Sequence, residues 1–166
     1  MGANGLTQMT LYGINMDLFS SNPIVILKVE EENRYLPIWI GHNEAKSILM
    51  KIQNQEFARP LTHDLAANII GGMGGVLEKI TVTELRNSTF FATMTLSIEG
   101  ESVDLDSRPS DAIAIAVRTG SPIFASDTII EEASVVFDEA MEDTPEDEVV
   151  DKFKDWVDQI TPEDFR

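Results

Sequence analysis

The chain of 166 residues contains no cysteine and only twelve lysine and arginine residues. The absence of cysteine excludes disulfide bonds, thiol catalysis and thiolate zinc sites. It also suits a reducing compartment, so we expect a cytoplasmic protein. Residues 1–11 lack a basic start and an unbroken apolar core, so we expect no signal peptide. No apolar run approaches the roughly 20 residues that a membrane helix needs, so we expect no membrane partner.

Acidic residues outnumber basic ones by 29 to 12, which gives a net charge of −17. Residues 138–166 alone hold twelve acidic and three basic residues. Such a chain repels nucleic acid at long range, because non-specific binding depends on lysine and arginine neutralising phosphates. A nucleic-acid partner is therefore disfavoured by net charge, and binding one would need a local basic patch or divalent cations.

Hydrophobic patterning predicts an α+β fold with a mixed, mainly antiparallel sheet from two meanders, three core helices and a C-terminal amphipathic helix. Thr62 and Ser110 are the predicted N-caps of the second and third helices, and Gly120 closes the third. The predicted strands cover residues 9–19, 24–29, 36–40, 76–85, 89–98, 102–105 and 122–125, and the core helices cover 43–53, 62–70 and 111–119, with a helical turn at 128–133.

The end of the chain differs in composition from the rest. Residues 138–148 form an acidic linker, and the pattern of residues 147–160 predicts an amphipathic helix. We therefore divide the chain into a domain of residues 1–137 and a tail of residues 138–166. The helix is expected to dock on its own domain or on a neighbouring subunit, and we expect a homo-oligomer. Its apolar face carries Phe153, Trp156, Val157 and Ile160.

Two segments repeat one order of residue types. Residues 59–65 read Arg-Pro-Leu-Thr-His-Asp-Leu, and residues 108–113 read Arg-Pro-Ser-Asp-Ala-Ile. Each places an arginine and a proline before an acid in the first turn of a predicted helix. Arginine binds carboxylates and phosphates through a rigid fork of donors, and helix N-termini favour anions. These segments are the best candidates for a site.

Together with Leu-Pro-Ile-Trp-Ile-Gly at residues 36–41, Thr-Phe-Phe-Ala at 89–92 and Pro-Ile-Phe at 122–124, these segments carry a resemblance. The chain resembles the bifunctional nuclease family over residues 10–135, with the motifs in the same order. The resemblance implies an α+β fold with a mixed, mainly antiparallel sheet. It also implies DNase and RNase activity, and the tail resembles the variable acidic extension of the family.

Asp104 and Asp106 lie two residues apart on a predicted strand, so both carboxylates lie on one face. Carboxylate oxygens suit Mg²⁺ or Mn²⁺, and such an ion can activate water and stabilise a phosphate leaving group. We hypothesise that Asp104, Asp106 and Asp111 hold the ion. The alternative is a solvated turn before a helix, in which Asp106 bonds to nearby backbone amides.

His63 is a candidate general base, because histidine gains and loses a proton near neutral pH, and Asp64 is assigned to the catalytic site with it. Arg59 and Arg108 are the candidate phosphate-binding residues. The alternative for His63 is a surface residue in the cap region of a helix. The alternative for Asp64 and Asp111 is that the helix dipole alone favours an acid in the first turn. A further alternative is architectural: Arg108 pairs with Asp64, and Arg59 pairs with Asp111.

Two functions follow from these alternatives. The first is metal-dependent phosphodiester hydrolysis of DNA or RNA, which is implied mainly by the family resemblance. The second is a non-enzymatic binding or regulatory module, in which the Arg and Asp motifs form a structural polar core.

Overall fold

The computed structural model describes residues 5–17, 20–30 and 32–136. These residues form eight strands and four helices: β1 Leu6–Met16, β2 Pro23–Val29, β3 Arg34–Trp39, α1 His42–Ile52, α2 Thr62–Gly72, β4 Gly75–Arg86, β5 Thr89–Ile98, β6 Glu101–Ser107, α3 Pro109–Thr119, β7 Ile123–Ser126, α4 Asp127–Ala133 and β8 Val135–Val136. The strands make one sheet in the order β6-β5-β4-β7-β1-β2-β3-β8. The predicted α+β fold is confirmed.

The sheet consists of two antiparallel meanders joined by a short strand. Strands β1 to β3 form the first meander and β4 to β6 the second. Strand β7 lies between them, parallel to β4 and antiparallel to β1. Both meanders were predicted from their alternating patterns and turn residues. The position of β7 between the two meanders was not predicted, because the sequence of a four-residue strand does not show which strands it will pair with.

Helix α3 is the most buried helix among the described elements. Residues 112–116 are all buried, and the helix contacts both α1 and α2 as well as strands β4 and β5. Pro109 fits its first position, since an N–H there would have no partner within the helix. Gly120 ends it in the left-handed conformation with φ of 71°, as predicted.

The starts of α2 and α3 differ from the prediction. The N-caps are Leu61 and Arg108, both with extended backbone, so Thr62 and Ser110 lie inside the first turn. In α2 the N-cap residue donates the capping hydrogen bond through its backbone: Leu61 N–H donates to Asp64 Oδ2 over 2.9 Å. The third-position acid thus makes one hydrogen bond of a capping box, and no side chain at the N-cap makes the other.

Helix α2 is apolar but carries no buried residue. Leu65, Ile69 and Met73 lie four residues apart and are 50%, 51% and 71% exposed, so they form an apolar stripe on one face. The predicted homo-oligomer stays a prediction. The domain boundary at residue 137 and the predicted C-terminal helix lie outside the described residues. No helix in the described part of the chain is long and apolar enough to cross a membrane.

The burial of α3 gives a test of this packing. Ile113 is 0% exposed, so Ile113→Ala should lower the free energy of unfolding by about 2–5 kcal/mol through lost contacts and a residual cavity. The matched control is Ile69→Ala on α2, which should change stability by no more than about 0.5 kcal/mol. Urea denaturation measures both. Equal losses would show that α3 is not the centre of the core.

Candidate functional site

Three helices begin around one cleft. The first turns of α1, α2 and α3 border a space of about 380 Å³, and Glu44, His63 and Asp111 line it. The third residue of each helix is acidic: Glu44, Asp64 and Asp111. An acid in this position is stabilised by the positive end of the helix dipole. Glu44 and Asp111 line the cleft, whereas Asp64 does not.

His63 is held from both sides in this cleft. Its Nδ1 lies 2.8 Å from Ser47 Oγ, and its Nε2 lies 2.8 Å from Asp111 Oδ1. A carboxylate only accepts, so Nε2 carries a proton toward Asp111. In the neutral ring Nδ1 then accepts from the Ser47 hydroxyl, which can rotate to accept instead once the ring is protonated. The structure therefore brings together the predicted residues His63 and Asp111.

Arg108 lies at the mouth of the cleft between two carboxylates. Its Nε donates to Asp111 Oδ2 and its Nη2 to Glu44 Oε1, each over 2.8 Å. The hydrogen bond from Arg108 lowers the pKa of Glu44, and the bonds to Glu44 and Asp111 raise the pKa of Arg108. The side chain of Arg108 is still 64% exposed. Its charge is therefore balanced locally, and the side chain remains within reach of a ligand.

Arg118 joins the three helices beneath the cleft. Its side chain is 5% exposed, and its Nε lies 2.6 Å from Asp64 Oδ1. Its Nη2 donates to the carbonyl oxygen and to Oγ of Ser47, over 3.1 and 3.0 Å. Burial raises the pKa of Asp64, but the hydrogen bonds from Leu61 and Arg118 outweigh burial and leave that pKa lowered. Asp64 on α2 is thus an ionised structural partner of Arg118 on α3.

The predicted pairing of Arg108 with Asp64 is wrong. Arg108 starts α3 and reaches Glu44 on α1, whereas Arg118 ends α3 and reaches Asp64 on α2. The architectural alternative, in which Arg108 pairs with Asp64, is therefore excluded. The reason is that α3 packs against both other helices, so opposite ends of one helix supply the two arginines.

The predicted pairing of Arg59 with Asp111 is also wrong. Both carboxylate oxygens of Asp111 are bound by His63 and Arg108. Arg59 is exposed in the connection between α1 and α2. Within the described residues the structure gives it no ion pair, and it does not line the cleft with Arg108. Its predicted role in phosphate binding stays a prediction.

Asp104 and Asp106 lie on β6, the edge strand of the sheet. Thr95 Oγ1 donates to Asp104 Oδ1 over 2.7 Å. Since Met94 faces the core, its neighbour Thr95 and the paired aspartates face the opposite side of the sheet. The structure therefore does not bring them together with Asp111. In the described part of the chain no group of three or more His, Asp and Glu residues is arranged to hold a metal ion.

The sequence reasoning missed Ser47, Glu44 and Arg118. A signal for Ser47 was present, because it lies between Ala45 and Ile48 on the buried face of α1. A buried polar side chain needs a hydrogen-bond partner, so a serine there indicates a polar contact in the core. A similar signal was present for Arg118, since it lies in the last turn of a helix whose preceding residues are almost all apolar.

The site lies within a recognised domain, because residues 25–138 match the bifunctional nuclease domain. The chain belongs to the bifunctional nuclease family. An uncharacterized protein of Mycobacterium tuberculosis is 35% identical over 164 residues, which are 96% of this chain and 98% of that protein. Bifunctional nuclease 1 of Arabidopsis thaliana is 32% identical over 109 residues, which are 63% of this chain and 34% of that protein.

Bifunctional nuclease 2 of Oryza sativa subsp. japonica is 30% identical over 115 residues, which are 67% of this chain and 35% of that protein. This family member thus spans about a third of the length of these plant relatives. The family resemblance that we inferred from the motifs is confirmed.

The contacts of Arg118 predict a large effect on stability. Arg118→Ala leaves Asp64 without its ion pair, and breaking a buried pair costs about 3–5 kcal/mol. We expect the lower end of this range, because the side chain of Asp64 is 33% exposed. The matched control is Arg86→Ala, since Arg86 and Glu84 are 61% and 52% exposed and such pairs contribute no more than about 1 kcal/mol. If urea denaturation showed a similar small loss in free energy of unfolding for both variants, a structural role for Arg118 would be contradicted.

The lowered pKa of Asp64 predicts how its contribution depends on pH. A carboxylate with a lowered folded-state pKa stabilises the fold above the ordinary pKa of about 3.9. That stabilisation is lost as the pH falls through the lowered pKa. Asp64→Asn should therefore be destabilising at neutral pH. The difference in free energy of unfolding between this variant and the wild-type protein should become smaller below about pH 4. A difference that stays constant from pH 7 to pH 3 would exclude the charge of Asp64 as its source.

Proposed function

We propose that this chain hydrolyses phosphodiester bonds of DNA or RNA, and that His63 with Asp111 acts as general base and acid. The observation that carries the proposal is the position of His63, which is held between Ser47 and Asp111 in an open cleft. Membership of the bifunctional nuclease family supports the reaction class. The named plant relatives support it as well.

The hydrogen-bond chain supplies a path for one proton. A water molecule in the cleft gives its proton to Ser47 Oγ, and the Ser47 hydroxyl passes its own proton to His63 Nδ1. The hydroxide attacks phosphorus, and the ester P–O bond breaks. The His63 imidazolium, which is stabilised by Asp111, then returns the proton from Nδ1 through Ser47 Oγ to the leaving oxygen. Arg118 holds Ser47 in place, since its Nη2 donates to Ser47 Oγ over 3.0 Å.

Charge around the cleft has to be balanced for a phosphate to enter. Arg108 and Lys46 line the cleft, but Glu44 and Asp111 offset Arg108. Mg²⁺ is commonly held by one or two carboxylates together with substrate phosphates. We propose that the predicted Mg²⁺ or Mn²⁺ enters with the substrate and is held here by Glu44 and Asp111. When bound, the ion would offset the negative charge of the phosphate.

A second candidate function is a binding or regulatory module without catalysis. The observation that favours it is that both ring nitrogens of His63 have partners within the protein. Such a saturated network fixes the three helix starts relative to one another, which is a sufficient structural reason for these residues. The experiment below separates the two functions, because a module of this kind binds nucleic acid without cutting it.

The two histidines of the chain give a matched test of hydrolysis. His63→Ala should reduce cutting of fluorescently labelled single-stranded DNA and RNA by about 10²–10⁴-fold, the usual effect of general acid–base catalysis. His42→Ala is the control, since His42 is exposed and begins α1 as a neighbour of the same cleft. Circular dichroism checks that both variants fold. Equal activity of the two variants would mean that His63 is not the base, and wild-type rates in both would indicate a contaminating nuclease.

The position of any ion is tested in the same assay. If Glu44 and Asp111 hold it, Asp106→Ala should keep cutting and its dependence on Mg²⁺ or Mn²⁺. Loss of cutting in Asp106→Ala would instead favour the ion site first predicted on β6, with Asp104 and Asp106. Cutting that is unaffected by a chelator would remove the ion from the mechanism altogether.

A further inference from the structure

A second cleft of about 400 Å³ lies beside the first, and Arg108 borders both. The end of β3, the turn between β4 and β5, and the start of α3 surround it. Its walls are mainly apolar, with Leu85 and Phe90 on the β4–β5 side and Ile38 on the β3 side. Pockets that hold small molecules measure about 300–1,000 Å³ and combine apolar walls with a few polar groups. The second cleft fits this description at the size of one nucleotide.

The polar end of the second cleft contains a hydroxyl with no hydrogen-bond partner among the described residues. Ser110 lines the cleft and is only 5% exposed. Its side chain makes no hydrogen bond to any residue in the described ranges. No fully enclosed polar atom there lacks a partner, so the Ser110 hydroxyl opens into the cleft. The Ser110 hydroxyl is therefore available to form a hydrogen bond with a ligand in the cleft.

The same end of the cleft favours an anion. Ser110 belongs to the first turn of α3, a helix of 11 residues whose first N–H groups have no partner within the helix. Pro109 has no N–H, so the first free donors are those of Ser110 and Asp111. Helix N-termini of this kind bind phosphate, and the exposed guanidinium of Arg108 lies at the border as a further hydrogen-bond donor.

We propose that the second cleft binds one nucleotide unit of single-stranded nucleic acid. Its phosphate lies against Ser110 and Arg108, and its base packs on Phe90 and Leu85. This inference rests on the proposed function, since it names the substrate that the adjoining catalytic cleft receives. Arg108 borders both clefts, so a strand seated in the second presents its next phosphodiester to His63.

The apolar walls select single strands. A base in a duplex is stacked and paired, and removing it into a pocket requires unstacking. A base in a single strand stacks on an aromatic side chain without regard to sequence, because every base has a π-face. The second cleft therefore favours single strands and discriminates little between bases.

Binding is measured on the full chain with a ligand that has no phosphodiester to cut. The chain has two tryptophans, so Trp156→Phe leaves Trp39, which borders the second cleft, as the fluorescent reporter. Thymidine 5′-monophosphate should quench this fluorescence. Thymidine and inorganic phosphate should each bind at least about tenfold more weakly, because each lacks one half of the contacts. Equal binding of inorganic phosphate would exclude a base subsite.

Adjacent phenylalanines provide a matched control. Phe90→Ala should raise the Kd for the nucleotide by about tenfold through lost stacking. Phe91→Ala should leave it unchanged, since the Phe91 ring points away and packs on Arg86 at 4.6 Å. Ser110→Ala should also weaken binding by about tenfold through a lost hydrogen bond to a charged group. Equal Kd values for Phe90→Ala and Phe91→Ala overturn the proposal.

The strand preference is tested in a His63→Ala background, in which cutting is expected to be slow compared with binding. An oligothymidine strand should bind at least about tenfold more tightly than its duplex with oligoadenine, because the duplex must unstack a base. Equal affinity for the duplex overturns the proposed substrate. If the protein binds as predicted but does not cut, the nucleotide subsite is supported and the proposed hydrolase activity is overturned. If the protein cuts nucleic acid but Phe90→Ala and Phe91→Ala have the same KM, the hydrolase activity is supported and the nucleotide subsite is overturned.

Discussion

The placement of the three helices depends on the guanidinium of Arg118. It leaves the last turn of α3 and bonds to the carboxylate of Asp64 on α2 and to the backbone and hydroxyl of Ser47 on α1. A buried arginine is tolerated only when its donors are satisfied, because an unpaired charge in the interior is strongly destabilising. Arg118 therefore ties the last turn of α3 to the first turn of α2 and to the middle of α1.

The cleft that contains His63 is a consequence of that arrangement. Ser47 receives a hydrogen bond from Arg118 and contacts His63 in turn, so the structural ion pair and the proposed catalytic residues belong to one network. In a network of this kind the effects of substitutions do not add. Changes beneath the cleft are therefore expected to alter both the stability of the fold and the orientation of His63.

The charge of the chain shapes what the proposed site can bind. The net charge is −17, and Arg108 shares its charge with Glu44 and Asp111. Long-range attraction of nucleic acid is thus weak, since that attraction depends on unpaired basic side chains. Affinity in such a protein has to come from short-range contacts, such as base stacking, a helix N-terminus and a cation that accompanies the phosphate. The second cleft beside Arg108 offers the first two of these.

Local patterns in the sequence predicted the elements well, because they depend on neighbouring residues. Alternation, β-branched runs and turn residues predicted both meanders, and the run from Asp111 to Thr119 with Gly120 after it predicted α3 with its correct end. The caps were missed, since an acid at the third position of α2 competes with a hydroxyl at the first and bonds to the N-cap amide. Propensity alone does not decide such a competition.

The sequence by itself determined the fold class, the family and the presence of His63 and Asp111 near helix starts. Only the tertiary structure decided which residues meet. His63 and Asp111 are 48 residues apart, and Arg118 and Asp64 are 54 apart. Their contact depends on how α1 and α2 pack on α3, which is set by the shape of a shared core rather than by local pattern. For the same reason Asp104 and Asp106, which are close to Asp111 in sequence, lie on the opposite face of the sheet.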